Sequence, residues 1–221
     1  MRGIGWTAAT LIACAMLAGC AKKAPPPAPV SLVEPQPEPT ILDRWQGVAT
    51  EADAERIARI DTAWADGLAA ARRAGAGGVI AQEGALLDPA ALAPRALPPP
   101  GRYSCRVIKL GGRRGLASFP PYFCFVDRDG PLTILVKETG AERPSGRLWP
   151  DGEDRMIFLG GMALGPEHTA PAYNSESDRD VAGVLERVGD FRWRLAMPYQ
   201  SRAASLDVIE LVPFIPNKTV E

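Results

Sequence analysis

"FRWRLAMPY", residues 191–199, alternates without a fault: Phe191, Trp193, Leu195, Met197 and Tyr199 fall on one side, Arg192 and Arg194 on the other. Successive side chains of an extended chain leave opposite faces, so this period of two marks a strand with one apolar face and one wet face. The same period holds from Gly101 onward and predicts eight strands, at about 103–110, 121–127, 132–138, 145–149, 155–164, 181–188, 191–199 and 205–212. Asp129-Gly130, Asp151-Gly152 and Gly189-Asp190 supply tight hairpin turns between them. Gly160-Gly161 inside a long apolar run reads as a bulge or barrel corner. No crossover helices separate the strands, which favours an antiparallel up-and-down barrel over a sandwich. Arg102, Arg106, Arg192 and Arg194 then read as wet strand faces.

Upstream the period lengthens. Ile57, Ile60, Trp64, Leu68 and Ala71 recur at three- and four-residue steps and predict a helix with one apolar face. Thr50 is its candidate N-cap, Glu51 and Asp53 fill the first turn, and Arg72 and Arg73 the last, before Gly75. Glu55 and Arg59 are spaced to pair across one turn. A shorter helix from about Val79 to Leu87 stops at Asp88-Pro89, and Pro98 to Pro100 close the helical region. The fold class is therefore α+β and mainly β, with a helical region at 41–100, an eight-stranded lipocalin-like barrel at 101–215 and a tail at 216–221.

The N-terminus carries an address. Arg2 precedes an uncharged stretch from Gly3 to Gly19, and "LAGC", residues 17–20, matches a bacterial lipobox. Residues 1–19 read as a lipoprotein signal peptide, with Cys20 as the acylated residue. At this length a transmembrane anchor is the weaker alternative. Residues 20–40 form a lipidated, proline-rich linker. The expected setting is the Gram-negative cell envelope: acyl chains in the membrane, a domain facing the periplasm, and Ala21 pointing to the outer membrane. Cys14 leaves with the signal and Cys20 is taken by lipid. Cys105 and Cys124 remain in an oxidising compartment, where a disulfide between directly opposed strand positions is expected.

The segments "GRYSCRVIKLGG", "RPSGRLWPDG", "RMIFLGG", "DRDVAGVLERVGDFRWRLAMPY" and "LDVIELVPF" resemble an uncharacterised alphaproteobacterial lipoprotein family, domain of unknown function 4893, from about Trp45 to Pro213. The resemblance implies no catalytic residues. The opening Gly101-Arg102-Tyr103 is also loosely similar to the first strand of lipocalins.

Several function classes lack material. With 25 basic and 26 acidic residues the net charge is −1, and no field is built to recruit nucleic acid. A single histidine, His168, leaves a metal site without ligands, and no cofactor motif appears. No serine elbow or phosphate loop is present, and Glu138, Asp180 and Glu186 do not pair at a diagnostic spacing. "GGRRG", residues 111–115, has the composition of a small anion nest, a solvated hairpin loop being the simpler reading.

Up-and-down topology sends the longer connections, at 111–120, 139–144, 165–180 and 200–204, to one end of the barrel. That end would gather Arg113, Arg114, Glu138, Arg143, Arg147, His168, Tyr173, Arg179, Asp180 and Tyr199. Arg143 and Arg147 flank Pro144-Ser145-Gly146, a frame suited to holding two guanidinium groups against an acidic partner. The expected function is non-catalytic binding of a small ligand or an envelope partner at this end. Inhibition of a periplasmic protease is the alternative, followed by an enzyme acting on cell-envelope material.

Overall fold

A computed structural model describes residues 44–201 and 204–215. The expected signal peptide, Cys20, the linker and the tail from 216 lie outside the described residues.

Nine strands form one antiparallel sheet: β1 (Gly101–Leu110), β2 (Leu116–Ser118), β3 (Tyr122–Asp129), β4 (Leu132–Lys137), β5 (Glu142–Pro150), β6 (Arg155–Leu164), β7 (Asp180–Gly189), β8 (Arg192–Ser201) and β9 (Ala204–Pro213). Neighbours in sequence pair in turn from β3 to β9, and β1 pairs with both β3 and β9, which closes an eight-stranded barrel. The three-residue β2, expected as loop, pairs with Ile108–Leu110 on the edge of β1 whose other end holds β3. Phe119, Pro120 and Pro121 separate the two, since a proline offers no N–H to a ladder. β5 starts at Glu142 rather than 145, so Arg143, Pro144 and Arg147 are strand residues and not a loop frame. The connections at 111–121, 138–141 and 165–179 share one end of the barrel, but only the first and last are long. That at 138–141 has the same four residues as 151–154 at the other end, and the connection expected at 200–204 shrinks to 202–203, because β8 runs to Ser201 and β9 starts at Ala204.

The inward ladders are apolar over most of their length. Tyr103, Val126, Leu148, Phe158, Trp193, Leu195 and Leu211 are buried around Cys105 and Cys124. Those two cysteines are bonded, with Cα atoms 5.8 Å apart. They are not directly opposed: Cys105 faces Tyr122 and Cys124 faces Tyr103, so the bond runs along the diagonal of the ladder. At the tight-turn end the chain before β1 plugs the barrel. Ala93 bridges to Arg187, Ala96 is buried, and the Tyr103 hydroxyl donates to the Pro99 carbonyl at 2.6 Å.

The outer wall of β7, β8, β9 and β1 is covered by the helical region. Helices α1 (Glu51–Ala58), α2 (Ile60–Arg73) and α3 (Gly77–Glu83), the last followed by a 3-10 turn at Gly84–Leu87, build a second core there. Ile57, Ile60, Trp64 and Leu68 meet the outward Ile108, Leu110, Val184 and Val208. Gly67 makes room for the approach, because a Cβ there would stand 2.8 Å from that of Leu110. Thr50 caps α1 as expected, accepting from the Asp53 N–H. The single helix expected over this span breaks at Arg59, whose guanidinium lies 4.4 Å from the centre of the Tyr199 ring instead of pairing with Glu55.

Three other expectations change. Phe191 does not face inward; it is 66% exposed in the turn before β8. A register shift between Pro198 and Ser201 carries Tyr199 to the outside, where its hydroxyl donates to Asp66 at 3.0 Å. Gly160 marks no bulge in the ladder with β5; it faces Gly146 across that ladder, and a Cβ on it would lie 2.2 Å from the Ser145 carbonyl oxygen.

Arg194 is the largest correction. Expected in water, it is fully buried, because the helical region lies over its side of β8. It pairs with Glu186 at 2.7 Å, donates to the carbonyls of Ala85, Asp88, Pro89 and Ala91 at 2.5–3.3 Å, and lies 4.9 Å from the centre of the Trp64 ring. Removing it strands a buried carboxylate and several carbonyls. Arg194→Leu is therefore expected to lower unfolding stability by about 3–5 kcal/mol in a denaturant titration. Arg147→Ala, which breaks an ion pair with Asp129 exposed on both sides, should cost less than about 1 kcal/mol. Equal effects would contradict the clamp.

Candidate functional site

The two ends of the barrel interior differ in polarity. Toward the tight turns the inward ladders finish in Tyr103, Leu148, Met156 and Trp193, with Arg187 beside Trp193 and donating to the Gly189 and Pro94 carbonyls. Toward the long loops, three of them finish in charge: Lys109 on β1, Lys137 on β4 and Asp207 on β9. Lys109 and Asp207 are directly opposed, and Glu142, first residue of β5, joins them from across the mouth.

The Lys109 ammonium donates to Asp207 Oδ2 and to Glu142 Oε2, each at 2.8 Å. The Lys137 ammonium donates to the carbonyls of Thr139 at 2.6 Å and Glu142 at 2.9 Å, and stands 4.3 Å from the centre of the Tyr122 ring. Lys137 and Asp207 are each only 3% exposed. Burial works against the Lys137 charge and drops its pKa to about 8. Burial likewise pushes the Asp207 carboxyl above the usual carboxylate range, although Lys109 opposes it. Burial also disfavours the Lys109 ammonium, but Asp207 and Glu142 outweigh it and hold its pKa above the ordinary lysine value. Asp207 Oδ1 is buried with no hydrogen-bond partner.

Two cavities of about 190 Å³ each open beside this cluster. Val107, Phe119, Tyr122, Lys137 and Ala141 line one; Met162, Leu164, Asp178, Arg179, Gln200 and Asp207 line the other. Lys109 and Glu142 line both, so their ion pair stands as the partition. Each cavity alone falls below the roughly 300–1,000 Å³ of ordinary ligand pockets, and the pair together reaches it. Among the described residues no three His, Cys, Asp or Glu side chains gather to hold a metal ion.

Of the residues that loop position singled out, the structure brings Arg147 and Tyr173 together along a third cavity of about 370 Å³ on the outer wall of β4, β5 and β6, and disperses the others. Arg143 donates to the carbonyls of Gly140, Gly165 and Glu167 and so stitches two loops together. Arg147 sits four residues along the same strand, ~13 Å away at the usual strand rise, on the outer wall with Asp129. Arg113 and Arg114 are exposed in a loop that closes on itself, Gly111 N–H to Gly115 carbonyl at 2.7 Å. The Tyr173 hydroxyl donates to Asp53 at 2.6 Å and accepts from the Thr50 N–H at 2.9 Å, clasping the 165–179 loop to the start of α1. Burial and the Asp53 carboxylate raise its pKa to about 12. Asp180 is buried and accepts from the Asn174 N–H at 2.8 Å. Of the seven, Arg179 lines a mouth cavity, while it also holds Glu167 and the Met162 carbonyl.

Three of the four mouth residues carry a signal that loop position does not. Continuing the inward positions Tyr103 and Cys105 by twos reaches Lys109; Leu135 leads to Lys137, and Leu211 and Ile209 lead back to Asp207. An inward charge at one end of three ladders is a polar mouth.

The buried lysine has a measurable consequence. Unfolded, Lys137 keeps its proton up to its ordinary pKa of 10.5; folded, only to about 8. Its cost to stability is full below the lower value and lifts as pH rises between the two. The parent should therefore gain melting temperature relative to Lys137→Met as pH is raised from 8 toward 10.5. A gap that stays constant with pH would show that the charge is not buried.

A model of the family described as a domain of unknown function, DUF4893, matches residues 45–211. No curated protein and no solved structure matches the chain. The matched span runs from Trp45, ahead of α1, to Leu211 in β9 and takes in the helical cover, the plug and all four mouth residues. The chain belongs to the DUF4893 family.

Proposed function

We propose that this protein is an envelope lipoprotein that binds a small ligand, without catalysing a reaction, in the mouth of its barrel. One observation carries the reading: Lys109, Lys137 and Asp207 are charged groups that end inward ladders whose middles are apolar, at the open end of a barrel plugged at the other. Burying such groups costs stability, and packed apolar residues in their place would be no worse for the fold. The charges answer one another rather than forming a nucleophile beside a base, which suits holding over reacting.

Under this proposal the lipobox at 17–20 attaches the protein by acyl chains on Cys20, with the periplasm as its setting and the outer membrane as its site. An envelope protein as partner is the second reading. It draws on Phe119 and Leu164, which are 39% and 41% exposed on the rim of the mouth and give it an apolar lip.

Two experiments test these claims. Protein purified from its own envelope and extracted into organic solvent should release a small molecule that the charge-neutral pair Lys109→Met, Asp207→Asn does not carry. Identical extracts would remove the mouth as the site. Cys20→Ser should lose incorporation of a palmitate analogue and leave the membrane fraction. Retained label and membrane fractionation would refute the anchor.

A further inference from the structure

We infer that the ligand of the mouth is an amphiphile whose polar end carries a carboxylate beside a hydroxyl, and that Glu142 is a latch which this carboxylate displaces from Lys109. The inference rests on the mouth being the binding site.

The members of the cluster are unequally held. The Asp207 side chain is 4% exposed and that of Lys109 18%, whereas the Glu142 side chain is 49% exposed. Lys109 and Asp207 are fixed opposite each other on paired strands, while Glu142 reaches in from the first position of β5. A half-exposed ion pair is weak, because water serves the carboxylate nearly as well as the partner does. Glu142 is thus the group that leaves at least cost, and Lys109 keeps Asp207 when it does.

Its departure changes the mouth in two ways. The partition between the cavities goes, since Lys109 and Glu142 are the residues common to both. The charge balance also shifts, because among the residues lining the two cavities Lys109, Lys137 and Arg179 then face only the carboxylates of Asp207 and Asp178. Carbonyls occupy two of the three N–H donors of Lys137, and its charge has no carboxylate in contact. The cationic groups at the rim, Arg143 and Arg179, do not offset this. An excess positive charge at the top of an apolar barrel calls for one anion, and a carboxylate has the shape of the Glu142 group it replaces.

The second half of the headgroup follows from Asp207. Its Oδ1 is a buried acceptor with no donor, so the polar set is incomplete without a further O–H or N–H. A hydroxyl next to the ligand carboxylate supplies that donor, while Lys109 keeps its bond to Oδ2. An ammonium would supply it too, but would bring a cation among Lys109, Lys137 and Arg179. The rest of the ligand is apolar, because Val107, Phe119, Tyr122 and Ala141 wall one cavity and Met162 and Leu164 the other.

Short probes test this on the full-length protein in a maltoside detergent, by calorimetric titration with 3-hydroxyhexanoate, hexanoate, hexan-1-ol and hexylamine. The hydroxy acid should bind more tightly than hexanoate, and hexylamine should not bind. Glu142→Gln, a surface change that leaves the fold alone, should tighten both acids by about two- to fivefold, as expected when a weak competing ion pair is removed. Asp207→Asn, checked by its melting curve, should erase the advantage of the hydroxyl. Acid affinities unchanged in Glu142→Gln would overturn the latch, as would hexan-1-ol binding as well as hexanoate. Failure of every probe on both parent and Glu142→Gln would overturn the ligand class. Neither result touches the mouth as a site, which the solvent-extract comparison judges separately.

Discussion

Arg194 decides what kind of object this protein is. A lone guanidinium on the outer wall of a barrel would ordinarily point into water. Here the chain from Gly84 to Ala91 folds over it, and its carbonyls take the N–H groups that water would have taken. Glu186 neutralises it and Trp64 covers its face. One side chain thus ties the 3-10 turn, the segment after it, α2 and two neighbouring strands into a single packing unit. The helical region is not an appendage on a finished barrel. It is the second wall of a two-layered core, and the outward faces of β7, β8, β9 and β1 are apolar because they were never meant to meet solvent.

This also explains what could be read from the sequence and what could not. Alternation reports which side of a strand a residue takes, and it located all eight barrel strands to within a few residues. It does not report what lies on the far side, so Arg192 and Arg194 looked alike although one is fully buried. Where the chain departs from ideal pleating, alternation misleads: the register shift near Pro198 turned Tyr199 outward, and the turn before β8 exposed Phe191. Up-and-down topology does put the two longest loops at one end, but loop position does not mark a site there: Arg143, Tyr173 and Asp180 are the clasps that fix those loops. Loop arginines and tyrosines are abundant and mostly structural. A lysine at an inward strand position is rare, and the same period-two reading, carried to the ends of the ladders, leads to it.

The ends of the barrel divide the labour. At one, Ala93 to Pro99 close the interior against Tyr103 and Trp193. At the other, a largely buried charged cluster ends the apolar interior behind two open cavities. Between them lies a filled core braced by Cys105 and Cys124, so the room left within the barrel itself sits at the mouth. The DUF4893 match spans both ends.

The placement of the disulfide has a consequence for how the ring is shut. β1 meets β3 along five residue pairs, against eight with β9 on its other side, because the prolines after β2 cut the ladder short. The bond between Cys105 and Cys124 lies across this abbreviated seam. With free thiols, a brief run of backbone hydrogen bonds is all that joins the first stave to the second, and the cask is easier to unroll. With the bond formed, that seam is riveted and the ring can part only elsewhere, along ladders of backbone hydrogen bonds. Closure of the vessel is therefore coupled to the oxidising power of the compartment that receives the chain.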